Sequence, residues 1–190
     1  MQTGILNTFN FLVVIFNFME HPLQKFRYCP ICGSEKFIER DCHSKLCRQC
    51  GFHYYLNAVA AVAGFVVNEK NELLLCRRAQ EPQKGMLDLP GGFVNIDETA
   101  EDAIKREILE ELNLETMNIS YLFSVPNKYF YSDFTVRTLD MFFKVDVRNL
   151  KKLKCKDDVS EAEFIPLNKI DIDKIGFESI KTAVKKFIKK

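Results

Sequence analysis

A chain of 190 residues suits one domain of ordinary size, or one domain and a small module. With 47% hydrophobic and 28% charged residues and a formal net charge of +1, it can bury a core and carries no electrostatic footprint of a nucleic-acid or membrane-surface binder. Seven cysteines, four of them in two C-x-x-C pairs, argue against a simple disulfide framework and favour a metal in a reducing, cytoplasmic compartment.

Residues 1–21 read as an apolar N-terminal extension. Ile5 to Met19 is apolar but broken by Asn7, Thr8, Asn10 and Asn17, and it is short for a spanning helix. No Lys or Arg precedes it and no small-residue cleavage site follows, so it makes a poor signal peptide. The expectation is a natural start at Met19, with an interfacial anchor as the alternative; a native peptide containing Phe11 to Phe18 would refute the first.

Residues 22–56 are poor in apolar runs and rich in cysteine. Cys29-Pro30-Ile31-Cys32-Gly33 and Cys47-Arg48-Gln49-Cys50-Gly51 form two knuckles fourteen residues apart. Four thiolates at this spacing suit a closed tetrahedral Zn²⁺ site, which has no open position and is therefore structural. Cys42 and His43 lie between the knuckles at poorer spacing and are taken as bystanders. Cys76 and Cys155 are read as core packing. The charges around the knuckles (Glu35, Lys36, Glu39, Arg40, Asp41) nearly cancel, unlike those of a nucleic-acid ribbon.

Residues 57–190 carry the second module. Ala58 to Val67 reads as a buried strand, Asn68 to Asn71 as a turn and Glu72 to Arg78 as a second strand, giving a hairpin. Leu87 to Pro90 leads into Gly91-Gly92. Thr99 to Leu112 reads as a helix with Thr99 as N-cap, Asp102 as its capping-box partner and Asn113 as the left-handed residue beyond the last turn. Ile119 to Phe123 and Phe134 to Val147 are expected strands. Phe177 to Ile188 has helical spacing, and its lysines form a solvated, positive helix end.

On a helical wheel Ala100, Ala103, Ile104, Ile108 and Leu112 form an apolar arc. Glu107 and Glu111 fall inside it and Glu110 at its edge. Buried carboxylates need a cation, and at i, i+3 and i+4 these three converge. Such a set of oxygens suits Mg²⁺ or Mn²⁺. A salt-bridged acidic face would not break the amphipathic rule in this way. Near the expected site, Tyr129 and Tyr131 are candidates to stack on a base, and Arg77 or Arg78 to hold a phosphate, with Arg77 preferred.

The run Gly92, five residues, Glu98, seven residues, then Arg106-Glu107-Ile108-Leu109-Glu110-Glu111-Leu112-Asn113-Leu114 resembles the Nudix box, G-x5-E-x7-R-E-U-x-E-E-x-G-U. One fixed position differs: Asn113 stands for Gly, and Asn is the next best residue for a positive φ. The resemblance implies an α/β fold, an α/β/α sandwich around a mixed sheet, preceded by the small zinc ribbon. It implies a hydrolase that cleaves a diphosphate linkage in a nucleoside diphosphate derivative: NAD(H), ADP-ribose or a nucleoside triphosphate. By the same resemblance Glu107, Glu110 and Glu111 are metal ligands with the Gly91 carbonyl, and Arg106 pairs with Glu98 or Glu110. Glu110, Glu111 or, from another strand, Glu161 takes a proton from water, and Glu161 doubles as a further ligand.

A ribbon directly before such a domain resembles the NADH pyrophosphatase architecture, in which Tyr55 contacts substrate. The Ser-Gln-Pro-Trp signature of that family is only partly kept: Ser124, Pro126 and Ser132 fit, while Val125 and Asn127 hold the Gln and Trp positions. The implied partners are a small nucleotide and a second copy in a homodimer, with no nucleic acid and no membrane. The competing readings are a catalytically silent nucleotide sensor and a nucleic-acid-binding ribbon protein; the intact Glu107/Glu110/Glu111 set with Arg106 and the near-neutral charge argue against them.

Overall fold

The structure, a computed structural model, describes residues 21–189. The expectations for the N-terminal extension lie outside the described residues. The chain divides into two units between Leu56 and Asn57.

The first unit is a three-stranded antiparallel sheet in the order β1 (Phe37–Asp41), β2 (Ser44–Cys47), β3 (His53–Tyr55). Its core is small: buried Cys29, Phe37 and Cys47, with Phe52 and Tyr54 packed on them. The Lys45 stem is buried beside the Phe37 ring, and its ammonium donates to the Phe26 carbonyl at 2.7 Å. A core this size cannot by itself hold a fold in water.

The second unit begins with β4 (Val59–Phe65), β5 (Glu72–Arg78), β6 (Leu87–Asp88) and β7 (Gly91–Phe93). Helix α1 (Ala100–Leu112), the long strands β8 (Thr116–Tyr131) and β9 (Phe134–Val147), then β10 (Val159–Pro166) and α2 (Glu178–Ile188) complete it. Two sheets form, ordered β7-β4-β9-β8 and β10-β5-β6. The first is mixed: β4 runs parallel to β9 and antiparallel to β7.

The central strands are apolar on both sides because both sides are covered. Val62, Leu74, Cys76, Phe143 and Val145 face one core with Ile104, Ile108 and Leu112 of α1. Ala63, Phe65, Leu73, Leu75 and Phe142 face the other with Ile180, Ala183 and Val184 of α2. Helix, sheets and helix thus make the expected sandwich. Each fully buried Ile or Leu of α1 contributes roughly 1.5–3 kcal/mol of burial.

Two expectations change. The hairpin over Ala58–Arg78 survives only at its turn, as a bridge between Val67 and Leu73; beyond it β4 and β5 part into different sheets, each finding other partners. The expected short strand Ile119–Phe123 extends over sixteen residues as β8. Pro126 does not stop it, because β8 is an edge strand and a missing N–H costs little there. Register shifts near Thr116 and Tyr121 explain why alternation is blurred in its sequence.

Candidate active site

The glycine pair and α1 face each other by construction of the chain. Thr99 caps α1 by accepting from the Asp102 N–H, and Asn113 ends it in the left-handed region at φ 56°. Gly91 and Gly92 on β7 pair with Ala63 and Val62 of β4. Gly91 has φ +149°, and a Cβ there would lie 2.1 Å from the Val62 carbonyl oxygen. A Cβ on Gly92 would lie 2.6 Å from Glu107 Oε1. Only glycine lets strand and carboxylate come this close. For Gly92→Ala we expect the Glu107 carboxylate to be displaced, turnover to fall ~10–100-fold, and thermal stability to change little because a side-chain tip gives way; parallel kinetics and melting curves check this.

Arg106 organises the acidic face. Its Nε and Nη2 donate to the two oxygens of Glu98 at 2.8 and 2.9 Å. Its Nη1 donates to Glu107 at 2.6 Å and Glu110 at 3.0 Å, and Nη2 also reaches the Phe93 carbonyl at 3.0 Å. The guanidinium thereby ties the loop after β7 to the helix, a bidentate task that Lys cannot reproduce. Hydrogen bonding from Arg106 holds Glu98 well below the usual carboxylate range, at about 2.

Glu111 stands apart from that clamp. It is 7% exposed, its Oε2 accepts the Gly91 N–H at 2.9 Å, and among the described residues no basic side chain pairs with it. Burial pushes it up to about 8, helped by the charges of Glu107, Asp88 and Asp158 and opposed by the Gly91 N–H. Burial also raises Glu107, against the pull of Arg106.

These groups line a cavity of about 570 Å³. Besides Glu107, Glu110, Glu111 and Gly91, the cavity is lined by Asp157 and Asp158, which precede β10, and by Arg78, Asp88, Tyr129 and Tyr131. Arg78 donates to Asp88 at 3.1 Å and to the Pro82 carbonyl at 2.8 Å, and lies over the Phe177 ring at 5.0 Å. Burial pushes Asp88 up to about 6, opposed by Arg78.

The acidic half fits a divalent cation. Five carboxylates (Glu107, Glu110, Glu111, Asp157, Asp158) border it with the guanidinium of Arg106, and the most buried of them has no cationic partner among the described residues. Oxygen donors in excess of positive charge are what Mg²⁺ or Mn²⁺ requires. Glu107 and Glu110 here converge on Arg106 rather than on Glu111.

Three expected site residues of the second unit, Glu98, Arg77 and Glu161, are not brought into the cavity lining. Arg77 points to the other side of β5, where its Nε meets Glu161 at 3.0 Å and its Nη1 the Gly85 carbonyl at 2.8 Å. Glu161 is its cross-strand partner on edge strand β10, with a side chain 72% exposed. Alternation along the strands puts both on one outer face; Arg78, one residue on, takes the cavity position. Tyr55 belongs to the first unit, where its ring packs on His53 at 4.1 Å. Of the Ser-Gln-Pro-Trp positions, Val125 is buried in the core and Asn127 lines the cavity. Asp88, Asp140, Asp157 and Asp158 were not singled out by the sequence.

In the first unit Cys29, Cys32, Cys47 and Cys50 place their sulfurs within 4.8 Å of one another. The Cys29–Cys50 and Cys32–Cys47 separations are 3.7 and 3.6 Å. A tetrahedron with Zn–S bonds of ~2.3 Å has edges of ~3.8 Å, so the four thiols fit Zn²⁺. Cys42 and His43 lie outside this group, at the exposed β1–β2 turn.

The NUDIX domain model matches residues 58–186. An ADP-ribose pyrophosphatase of Methanocaldococcus jannaschii is 36% identical over 129 residues, covering 67% of this chain and 72% of that protein. A NAD-capped RNA hydrolase NudC of Vibrio parahaemolyticus is 32% identical over 108 residues, 56% of this chain; that alignment spans only 40% of the NudC protein. Among solved structures, a NUDIX hydrolase from Nitrosomonas europaea superposes with a TM-score of 0.66 at 24% identity, covering 86% of this chain and 90% of that one. The NUDIX domain of Shewanella oneidensis NrtR, solved with ADP ribose, gives 0.53 at 20% identity and covers 70% and 90%. Among the described residues no helix is long and apolar enough to cross a membrane. With the box residues gathered around one cavity and a family model spanning most of its length, the chain belongs to the NUDIX domain family.

Proposed function

We propose that the protein is a metal-dependent pyrophosphohydrolase that cleaves the diphosphate linkage of a nucleoside diphosphate derivative, with ADP-ribose as the leading substrate and NAD(H) and nucleoside triphosphates as further candidates. The observation that carries this reading is Glu111: a buried carboxylate with no basic partner among the described residues, beside Glu107, facing a cavity of ligand size. The similarity to an ADP-ribose pyrophosphatase supports the substrate class.

Water attacks one phosphorus and the bridging P–O bond breaks, leaving two phosphomonoesters from ADP-ribose or NAD(H), and a nucleoside monophosphate with pyrophosphate from a triphosphate. Divalent Mg²⁺ or Mn²⁺, when bound by Glu107, Glu110, Glu111 and the Gly91 carbonyl, supplies Lewis acidity at the diphosphate oxygens and acidifies the attacking water. Glu111 uses Oε2 for the Gly91 N–H, which leaves Oε1 for a cation or a proton. Glu110 or Asp158 is the alternative acceptor of the water proton. Arg106 fixes Glu98, and with it the loop, so that the carboxylates keep their spacing. Arg78, rather than Arg77, faces the substrate, and Tyr129 and Tyr131 flank it. Residues 22–56 form the ribbon, with Zn²⁺ as a structural ion, and residues 57–190 the hydrolase domain.

A panel of ADP-ribose, NADH and nucleoside triphosphates with Mg²⁺ or Mn²⁺, reading phosphate, pyrophosphate and nucleoside monophosphate, tests the reading; no turnover of any member would overturn it. Within that assay Glu161→Gln is expected to stay within about threefold of the parent, as an exposed ion-pair residue, and Asp158→Asn to lose tenfold or more. The reverse order would return the extra carboxylate to Glu161.

A further inference from the structure

The half of the cavity away from α1 has its own chemistry. Asp140 on β9 is 6% exposed and lines this half. Its Oδ1 accepts from the Thr138 hydroxyl at 2.5 Å and its Oδ2 from the Ser179 hydroxyl at 2.5 Å. Thr138 and Ser179 are themselves 3% and 1% exposed. Among the described residues no basic side chain pairs with Asp140; Arg78 is committed to Asp88 and the Pro82 carbonyl.

A buried carboxylate held by two neutral hydroxyls and bordering a cavity is short of donors. Both hydroxyls have given their protons to Asp140, and Thr138, which also lines the cavity, presents lone pairs there too. This end of the cavity therefore selects a group that brings N–H or O–H. Its walls are aromatic: the Tyr129 and Phe177 rings lie 5.2 Å apart, tilted at 56°, and the Arg78 guanidinium lies 5.0 Å over the Phe177 ring. Aromatic walls suit a planar heterocycle better than a sugar.

We propose that Asp140, held by Thr138 and Ser179, is a specificity residue that accepts the N–H donors on the edge of the substrate's nucleobase. This rests on the hydrolase reading above and names which part of the substrate the second half of the cavity takes. Selection follows from what a poor ligand leaves behind: a base without edge N–H groups strands a buried carboxylate, and sites built to bond a donor reject the analogue lacking it strongly. Asp140 also ties β9 to the start of α2, whose N-cap Phe177 offers no capping side chain, so the test must separate recognition from a purely structural tie.

The parent protein comes first, because it needs no variant to fold. ADP-ribose is compared with the analogue whose adenine amino group is replaced by hydrogen. The expected kcat/KM for the analogue is at least 100-fold lower, carried mainly by KM. Asp140→Asn should lower kcat/KM for ADP-ribose and, because it removes the carboxylate that the analogue strands, leave the value for the analogue equal or higher, narrowing the ratio from both sides; a structural tie would lower both alike and overturns the proposal. Equal kcat/KM for the two substrates in the parent overturns it as well. Calorimetric binding of AMP against purine riboside 5′-monophosphate reads the same edge without turnover. Preference for AMP with no hydrolysis of either diphosphate would sink the hydrolase reading while supporting the role of Asp140; hydrolysis with no preference would do the opposite.

Discussion

Glu111→Gln is expected to lower kcat at least ~100-fold while the second unit stays folded. Gln keeps the shape and can still accept the Gly91 N–H, but it offers neither the charge that a divalent cation needs nor a site for the water proton. The change should also alter how stability depends on pH. In the folded, metal-free protein Glu111 sits at about 8 against 4.5 for the ordinary group. Its neutral form is the favoured one, so the stability it contributes is full below pH 4.5 and is lost as pH rises through about 8. The loss is of the order of a few kcal/mol. Glu98 works in the opposite sense: its folded value of about 2 gives stability that is present above 4.5 and disappears as pH falls through 2. Metal-free protein should therefore lose melting temperature between pH 5 and 8, and Glu111→Gln should flatten that slope. Melting curves in chelator across this range provide the check; an unchanged slope in the variant would place the titration elsewhere.

Stripping the four-cysteine site should unfold the first unit and spare the second. The first unit's buried apolar cluster among the described residues is Cys29, Phe37 and Cys47 with two aromatic rings against them, and Leu23 is buried besides. A structural zinc contributes an apparent ~10–16 kcal/mol, comparable to the whole stability of an ordinary domain. Cys47→Ser removes a sulfur that is completely buried. We expect loss of one zinc per chain, loss of amide-exchange protection across residues 37–55, and retention of the cooperative melt of residues 57–189. Protected amides in the zinc-free protein would contradict a metal-dependent ribbon.

What could be read from the sequence was local. The Gly92–Leu114 run encodes its own structure: cap, period and stop signal act within one or two turns, and the carboxylates that break the apolar arc mark themselves. The cysteine knuckles do the same. Placement that depends on strand pairing was less legible. Arg77 and Arg78 are neighbours, and only the register of β5 against β10 decides that Arg78 faces the cavity. Glu161 lost its expected place for the same reason. Asp157 and Asp158 sit before β10, where no periodicity exists to expose them. Asp140 did leave a signal: Thr138, Asp140 and Phe142 alternate on one buried face of β9, two polar residues in line with a core phenylalanine, the strand counterpart of the break in α1.

The most direct measurement is phosphorus NMR of ADP-ribose incubated with the protein and Mg²⁺ in ¹⁸O-enriched water. The expected result is conversion to AMP and ribose 5-phosphate, with one solvent oxygen in one of the two monoesters and no conversion when chelator is added. An intact diphosphate after prolonged incubation with either Mg²⁺ or Mn²⁺, or cleavage that proceeds undiminished in chelator, would contradict cation-assisted hydrolysis at the Glu107–Glu111 turn.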